Sequence, residues 1–264
     1  MRRGDPTPRV RPVPDTSHGA HVAPGAELGH GVSVAPGAVV YERVRIGAGT
    51  SVGACSVLMP GTTVGEDCVI EPGAVIAKQP RLRAGSSARS EHELGELVLE
   101  SGVTVCSGAV VYAGSRIGTG AIIGDQAQVR ERVTIGACTV VGRGASVDFA
   151  TVVGERVSIQ TGVYVTGESM VEDDVFLGPG VLTTNDDSMG RHSRGAKLRG
   201  PVFRRACRVG GGAVFVPGVE IGPEAFVAAG AVVTSDVGER DVVMGVPARV
   251  VRRVGEEDLL EAWR

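Results

Sequence analysis

Large side chains are what this sequence lacks. Aromatics make up 3% of the 264 residues, as one Trp, three Tyr and five Phe. A thick interior of stacked rings, the ordinary core of a domain this long, is therefore excluded. Cysteine is sparse as well. Cys55, Cys68, Cys106, Cys138 and Cys207 include no CxxC pair, which argues against a disulfide framework or a zinc site and predicts a reducing, cytoplasmic setting. The five His form no ligand pattern: His18, His21 and His30 lie near the start, His92 and His192 in separate polar stretches. No metal is expected. The apolar runs fall far short of the roughly 20 residues that span a bilayer, and the start of the chain has no apolar leader, so no membrane partner is expected. A net charge of -3 leaves no basic field for nucleic acid.

What is abundant is glycine, 40 residues, together with a strict period. An aliphatic residue returns every sixth position from Leu99 through Val105, Val111, Ile117 and Ile123 to Val171 and Leu177. Small or β-branched residues such as Ala109, Ser115, Ala121 and Ala127 stand four places after each aliphatic. The series also runs before this block, from Val22 to Ile76, and after it, from Phe203 to Val233. A helix repeats its apolar face at three and four, and a strand at two. Six is the period of a coil with three flat faces, each a short strand and a turn, so 18 residues close one coil of a parallel β-helix. The hexads predict an all-β prism of about ten coils, roughly 45–50 Å tall at 4.8 Å per strand.

The rest of the chain is placed by this lattice. Residues 1–21, rich in Pro and Arg, read as an extended tail, and residues 22–253 as the β-helix domain. Two polar stretches break the period, the loops 78–98 and 183–202. Function is sought where a packing code is suspended. The segment from Asp236 to Arg253 leaves the repeat. Residues 254–264 read as a short helix capping the open end, with Leu259, Leu260 and Trp263 on one side.

The hexads, with Val209 to Gly222, Ala228 to Val237 and the Gly245-Val-Pro-Ala-Arg ending, resemble the hexapeptide-repeat acyltransferases over nearly all of the chain from Val22 to Arg253. The resemblance implies a left-handed β-helix, a homotrimer with sites between subunits, and acyl transfer from a coenzyme A thioester. Glu172 to Phe176 followed by Thr184-Asn185 is similar to the sugar-nucleotide N-acetyltransferases. That likeness implies acetyl-CoA as co-substrate and a nucleotide-linked amino sugar as acceptor. O-acetylation of a sugar, and a non-catalytic binding scaffold, stand as alternatives.

The candidate site residues come from both readings. An amine attacking a thioester must lose a proton, so a base or an amine that arrives neutral is required. Where many relatives in the family place a His, this chain has Asn185, which can orient the amine, and His192 lies seven residues on as a candidate base. Asp186 can orient His192 or bind the sugar. On the coenzyme side, small residues let a backbone ladder approach pantetheine. Gly211, Ala229 and Gly230 fit that need, and the family pattern assigns the contact to Gly211 and Ala229, the nucleotide end to Thr234 and Ser235, and the phosphates to Arg252. Ser235 stands where relatives often carry Lys, so Arg249 or Arg253 is expected to substitute.

Overall fold

A two-residue strand is too short to stand alone, but here each is held by its equivalents one coil below and above. The computed structural model describes residues 15–16, 19–82, 86, 93–193 and 196–263. Its strands form three parallel sheets of 13, 11 and 10 strands, here called faces A, B and C. The chain visits them in rotation, and the register advances by one coil of 18 residues, as in Val105↔Ile123↔Val141 on face A. The hexad residue points inward and its neighbour outward. Val105, Val111, Ile117 and Ile123 are all fully buried. The all-β parallel solenoid therefore matches the expected lattice, with about twelve turns in place of ten.

Corners impose their own rule. One residue per corner takes a left-handed conformation, at Gly37, Arg43, Gly49 and Cys55 and onward every six positions, which is why glycine is so frequent. A second kind of glycine answers to contact between coils. A Cβ on Gly136 would lie 2.4 Å from the backbone of Gly154. The interior widens only near one end, where Phe203 and Phe215 meet edge to face at 5.0 Å.

Both excursions leave from the corner between faces B and C. The first joins Val75–Lys78 on face B to Leu97–Leu99 on face C, and the second joins Leu182–Thr183 on face B to Val202–Phe203 on face C. Thr183 is itself a hexad residue, fully buried. Polar Thr at an apolar lattice position is accommodated because its hydroxyl donates to Tyr164 O at 3.0 Å and accepts from Thr166 N at 2.7 Å.

Three expectations about the ends are corrected. The ladder begins at Asp15–Thr16, which pairs with Ser33–Val34, so the tail does not reach residue 21. Asp241–Met244 does not leave the repeat but adds to face A in register with Phe226–Val227, and Arg249–Arg253 folds back on it antiparallel. The terminal helix is a 3-10 turn, Glu256–Asp258, and a short α-helix, Leu260–Trp263. It lies on the flank between faces C and A and not over the open end. It is held there by Arg205–Glu261 at 2.9 Å, Arg240–Glu256 at 3.0 Å and the Glu224 carboxylate on Leu260 N at 3.2 Å. Leu259 and Leu260 are buried beneath it. The expectation for the Trp263 side chain, and those for His18 and His92, lie outside the described residues.

Candidate functional site

Face B carries the candidate residues on its two edges. Along the edge shared with face A, Pro179, Gly211 and Gly230 stack on successive coils, with Gly212 N donating to Pro179 O and Gly230 N to Gly211 O, both at 2.9 Å. A Cβ on Gly211 would come within 3.1 Å of Pro179 O, and Gly230 has φ +70°. Stacking thus favours a small residue at Gly211, while nothing crowds Gly230, and Ala229 and Gly230 are exposed. This edge can offer peptide groups to an amide-bearing ligand.

The opposite edge holds the start of the second excursion. Asn185 Nδ2 donates to Gly167 O at 3.0 Å. Gly167 must be glycine because a Cβ there would lie 2.8 Å from the Phe149 ring packed below. With its amide nitrogen tied down, Asn185 keeps its carbonyl oxygen for an incoming donor. Asp186 shapes the loop beyond it. Its carboxylate accepts from Ser188 N at 2.8 Å, Ser188 Oγ at 2.6 Å and Gly190 N at 2.6 Å. These bonds, the Ser188 hydroxyl foremost, hold its pKa down to about 2. Asp186 Oδ2 also lies 3.4 Å from His192 Nε2, while His192 Nδ1 is 3.0 Å from Ser193 O. Both ring nitrogens thus face oxygens that can only accept. The ring directs no lone pair outward in this arrangement, a poor posture for a base.

The structure brings together Asn185, Asp186 and His192 but divides the coenzyme residues. Gly211, Ala229 and Gly230 share the A–B edge. Thr234 and Ser235 lie on the last turn at the B–C corner and line a cavity with Arg249. Arg252 is elsewhere: the hairpin turns it to face A, beside Arg208 and Phe226. It lines a different cavity from Thr234 and Ser235, although Arg249 on the same strand lines theirs. Arg253 is engaged by Asp241 at 2.8 Å.

Two clusters escaped the sequence reading. On the B–C corner, fully buried Glu131 is held by Arg130 Nε and Nη2, each at 2.9 Å. Arg130 Nη1 reaches Asp148 Oδ1 at 3.2 Å, and Tyr164 OH donates to Asp148 Oδ2 at 2.8 Å. The available signal was an Arg-Glu pair inside the hexads and two of the chain's three Tyr, at 112 and 164, on one face. On the A–B corner, Glu71, Cys106 and Asp125 bring one potential metal-ligand atom each within 4.8 Å of the others. One oxygen of that trio, Glu71 Oε2, already accepts from Ser107 N and Oγ.

Residues 43–78 match the pattern described as bacterial transferase hexapeptide (six repeats), and residues 206–235 that of the hexapeptide repeat of succinyl-transferase. Two stretches of the chain thus carry the hexapeptide repeat of bacterial transferases. Among curated relatives, this hexapeptide-repeat chain is similar to the bifunctional protein GlmU of Shouchella clausii, 32% identical over 149 residues, or 55% of this chain and 30% of that protein. It is also similar to galactoside O-acetyltransferase of Lactococcus lactis, 30% identical over 110 residues, covering 37% and 53% of the two chains. Serine acetyltransferase of Salmonella typhimurium is 31% identical over 97 residues, covering 37% and 33%. The chain spans about half or less of the length of each of these relatives.

Proposed function

We propose that this protein transfers an acetyl group from acetyl-CoA to an amino group on a nucleotide-linked sugar. The observation that carries the reading is the fixing of Asn185 on the Gly167 carbonyl, which leaves the Asn185 Oδ1 to accept from an acceptor N–H. The names of the relatives, acetyltransferases among them, support the reaction type. In the proposed reaction a neutral amine attacks the thioester carbonyl. A C–N bond forms, the C–S bond breaks, and the amine proton leaves with the coenzyme as free thiol. Asn185 orients the amine. Asp186 and His192 hold the loop around it. The backbone of Gly211, Ala229 and Gly230 receives the pantetheine amides, with Thr234, Ser235 and Arg249 toward the nucleotide.

Asn185 and the Gly211 edge lie on opposite borders of face B. A homotrimer in which one subunit's A–B edge meets the B–C corner of the next supplies the missing proximity. Transfer to a sugar hydroxyl is the second reading, favoured by the likeness to a galactoside O-acetyltransferase, and it would need His192 to swing free as base.

Thiol release from acetyl-CoA, measured over a panel of amino-sugar nucleotides and sugars, tests the reaction. Asn185→Ala should lower kcat/KM for the acceptor by about 10² through lost positioning. His192→Ala should have a mild effect. A loss of about 10²–10⁴ in kcat for that variant, with its acid limb gone from the pH profile, would instead make His192 the base.

A further inference from the structure

The B–C corner differs from the other two in the residue placed directly after the buried hexad position. On face C that place is glycine at 47, 65, 118, 136 and 154 but Glu at 100 and 172, and on face A it is glycine at 53, 124, 142, 178 and 210 but Glu71, Cys106 and Gln160 on other coils. On face B, between the two excursions, it is occupied in turn by Tyr112, Arg130, Asp148, Thr166 and Thr184. Between the excursions this edge alone carries a side chain at that place on every coil, over a stretch bounded at both ends by a loop.

Within that strip Asp148 is held in a single pose. Its Oδ1 accepts from Arg130 Nη1 at 3.2 Å and from Phe149 N at 2.9 Å, and its Oδ2 from Tyr164 OH at 2.8 Å. A carboxylate has about four acceptor positions, and this one, its side chain 15% exposed, has used three. Arg130 is fixed in turn by fully buried Glu131. Burying such a pair is costly, and its visible effect is to aim Arg130 at Asp148. The strip's other end is cationic. Lys78 Nζ sits 5.3 Å over the Tyr112 ring, whose other neighbour is Arg130 at 5.4 Å. Among the described residues Lys78 has no ion-pair partner. Lys78 stands one coil before Tyr112 and three coils from Asp148, so its ammonium, drawn toward Tyr112, lies roughly 10–14 Å from the Asp148 rung, a span that a sugar bearing one or two phosphates fills.

We propose that this strip is the acceptor site: Asp148, oriented by Arg130 and Tyr164, receives a hydroxyl of a glycosyl phosphate lying along the corner, and Lys78 meets its phosphate. The assignment of this ligand as acceptor rests on the acetyl-transfer reading; its binding does not. The phosphate is either a free sugar phosphate or the near end of a nucleoside diphosphate.

Isothermal titration of the full chain, without coenzyme, with glucosamine 1-phosphate, UDP-glucosamine and glucosamine tests this. Wild type should bind at least one phosphate ligand more tightly than glucosamine, and the tighter of the two identifies the source. Asp148→Asn and Tyr164→Phe should each weaken that ligand about tenfold, the scale of one lost hydrogen bond to a charged group. Lys78→Ala should remove the preference over glucosamine. Acetyl-CoA affinity should be unchanged in all three. Failure of wild type to bind either phosphate at millimolar concentration overturns the proposal, as does wild-type affinity in Asp148→Asn. If Asp148→Asn melts too early to assay, wild-type affinity in both Tyr164→Phe and Lys78→Ala overturns it. Asp148-dependent binding without thiol release from acetyl-CoA would sink acetyl transfer and leave this site standing. Thiol release with unphosphorylated acceptors alone would do the reverse.

Discussion

At the scale of single residues, Tyr164 shows how a neighbour can change what a side chain is able to do. Burial first, then the Asp148 charge beside it, push its pKa up to about 12 from an ordinary value of 10. It therefore remains a hydrogen-bond donor through the neutral range. Because the folded state holds this proton more tightly, its contribution to stability is complete below pH 10 and is lost as pH rises toward 12. The expected outcome is a phenolate absorbance step near pH 12 that disappears in Tyr164→Phe. A wild-type titration complete by pH 10.5 would contradict it. Cys207 illustrates the bland case. It is a corner residue, fully buried, and burial pushes its thiol up, so packing and not reactivity accounts for it.

At the scale of elements, the second excursion is a loop organised by one carboxylate. Asp186 gathers the Ser188 and Gly190 amides and stands beside His192. Its folded pKa of about 2 lies below the ordinary 3.8, so this organisation is complete above about pH 4 and fails as pH falls through 2. Asp186→Ala should remove hydrogen-exchange protection from the Ser188 and Gly190 amides at neutral pH. Met170–Val171 and Val214–Phe215, held by the ladder, should exchange as before. Loss across those strands too would mean that the loop supports the prism. The break in period at 183 was plain in the sequence, but the Asp186 fold was not. Asx bonds to residues two and four places on leave no period to read.

At the scale of the whole molecule, the open question is how two distant edges of one face serve one reaction. A solenoid has few ways to bring its own edges together, since each coil contacts only its neighbours. A ring of three prisms does so without bending any of them. Light scattering should give three times the 27.1 kDa chain mass, and dilution into monomer should abolish transfer. A monomer that retains activity would require coenzyme and acceptor to meet on a single chain. The terminal helix, clamped along the flank by Arg205, Glu224 and Arg240, ties successive turns together.

The sequence by itself determined the prism. Every sixth residue is aliphatic because each face admits one inward side chain per coil, and that constraint is local enough to be written as a period. It also determined where the lattice is suspended, and hence where Asn185, Asp186 and His192 were sought. Tertiary structure decided the rest. Counting hexads by threes from Leu99 puts Thr183 on face B, but that the first excursion leaves from the same corner depends on where the chain re-enters, which no period records. Arg252 lines a different cavity from Thr234 although Arg249, on the same reversed strand, lines theirs, a division set only by the folded hairpin. The pairing of Arg130 with Asp148, 18 residues away, exists only once the coils are stacked. One turn of chain then becomes a single 4.8 Å step, and residues a coil apart become neighbours.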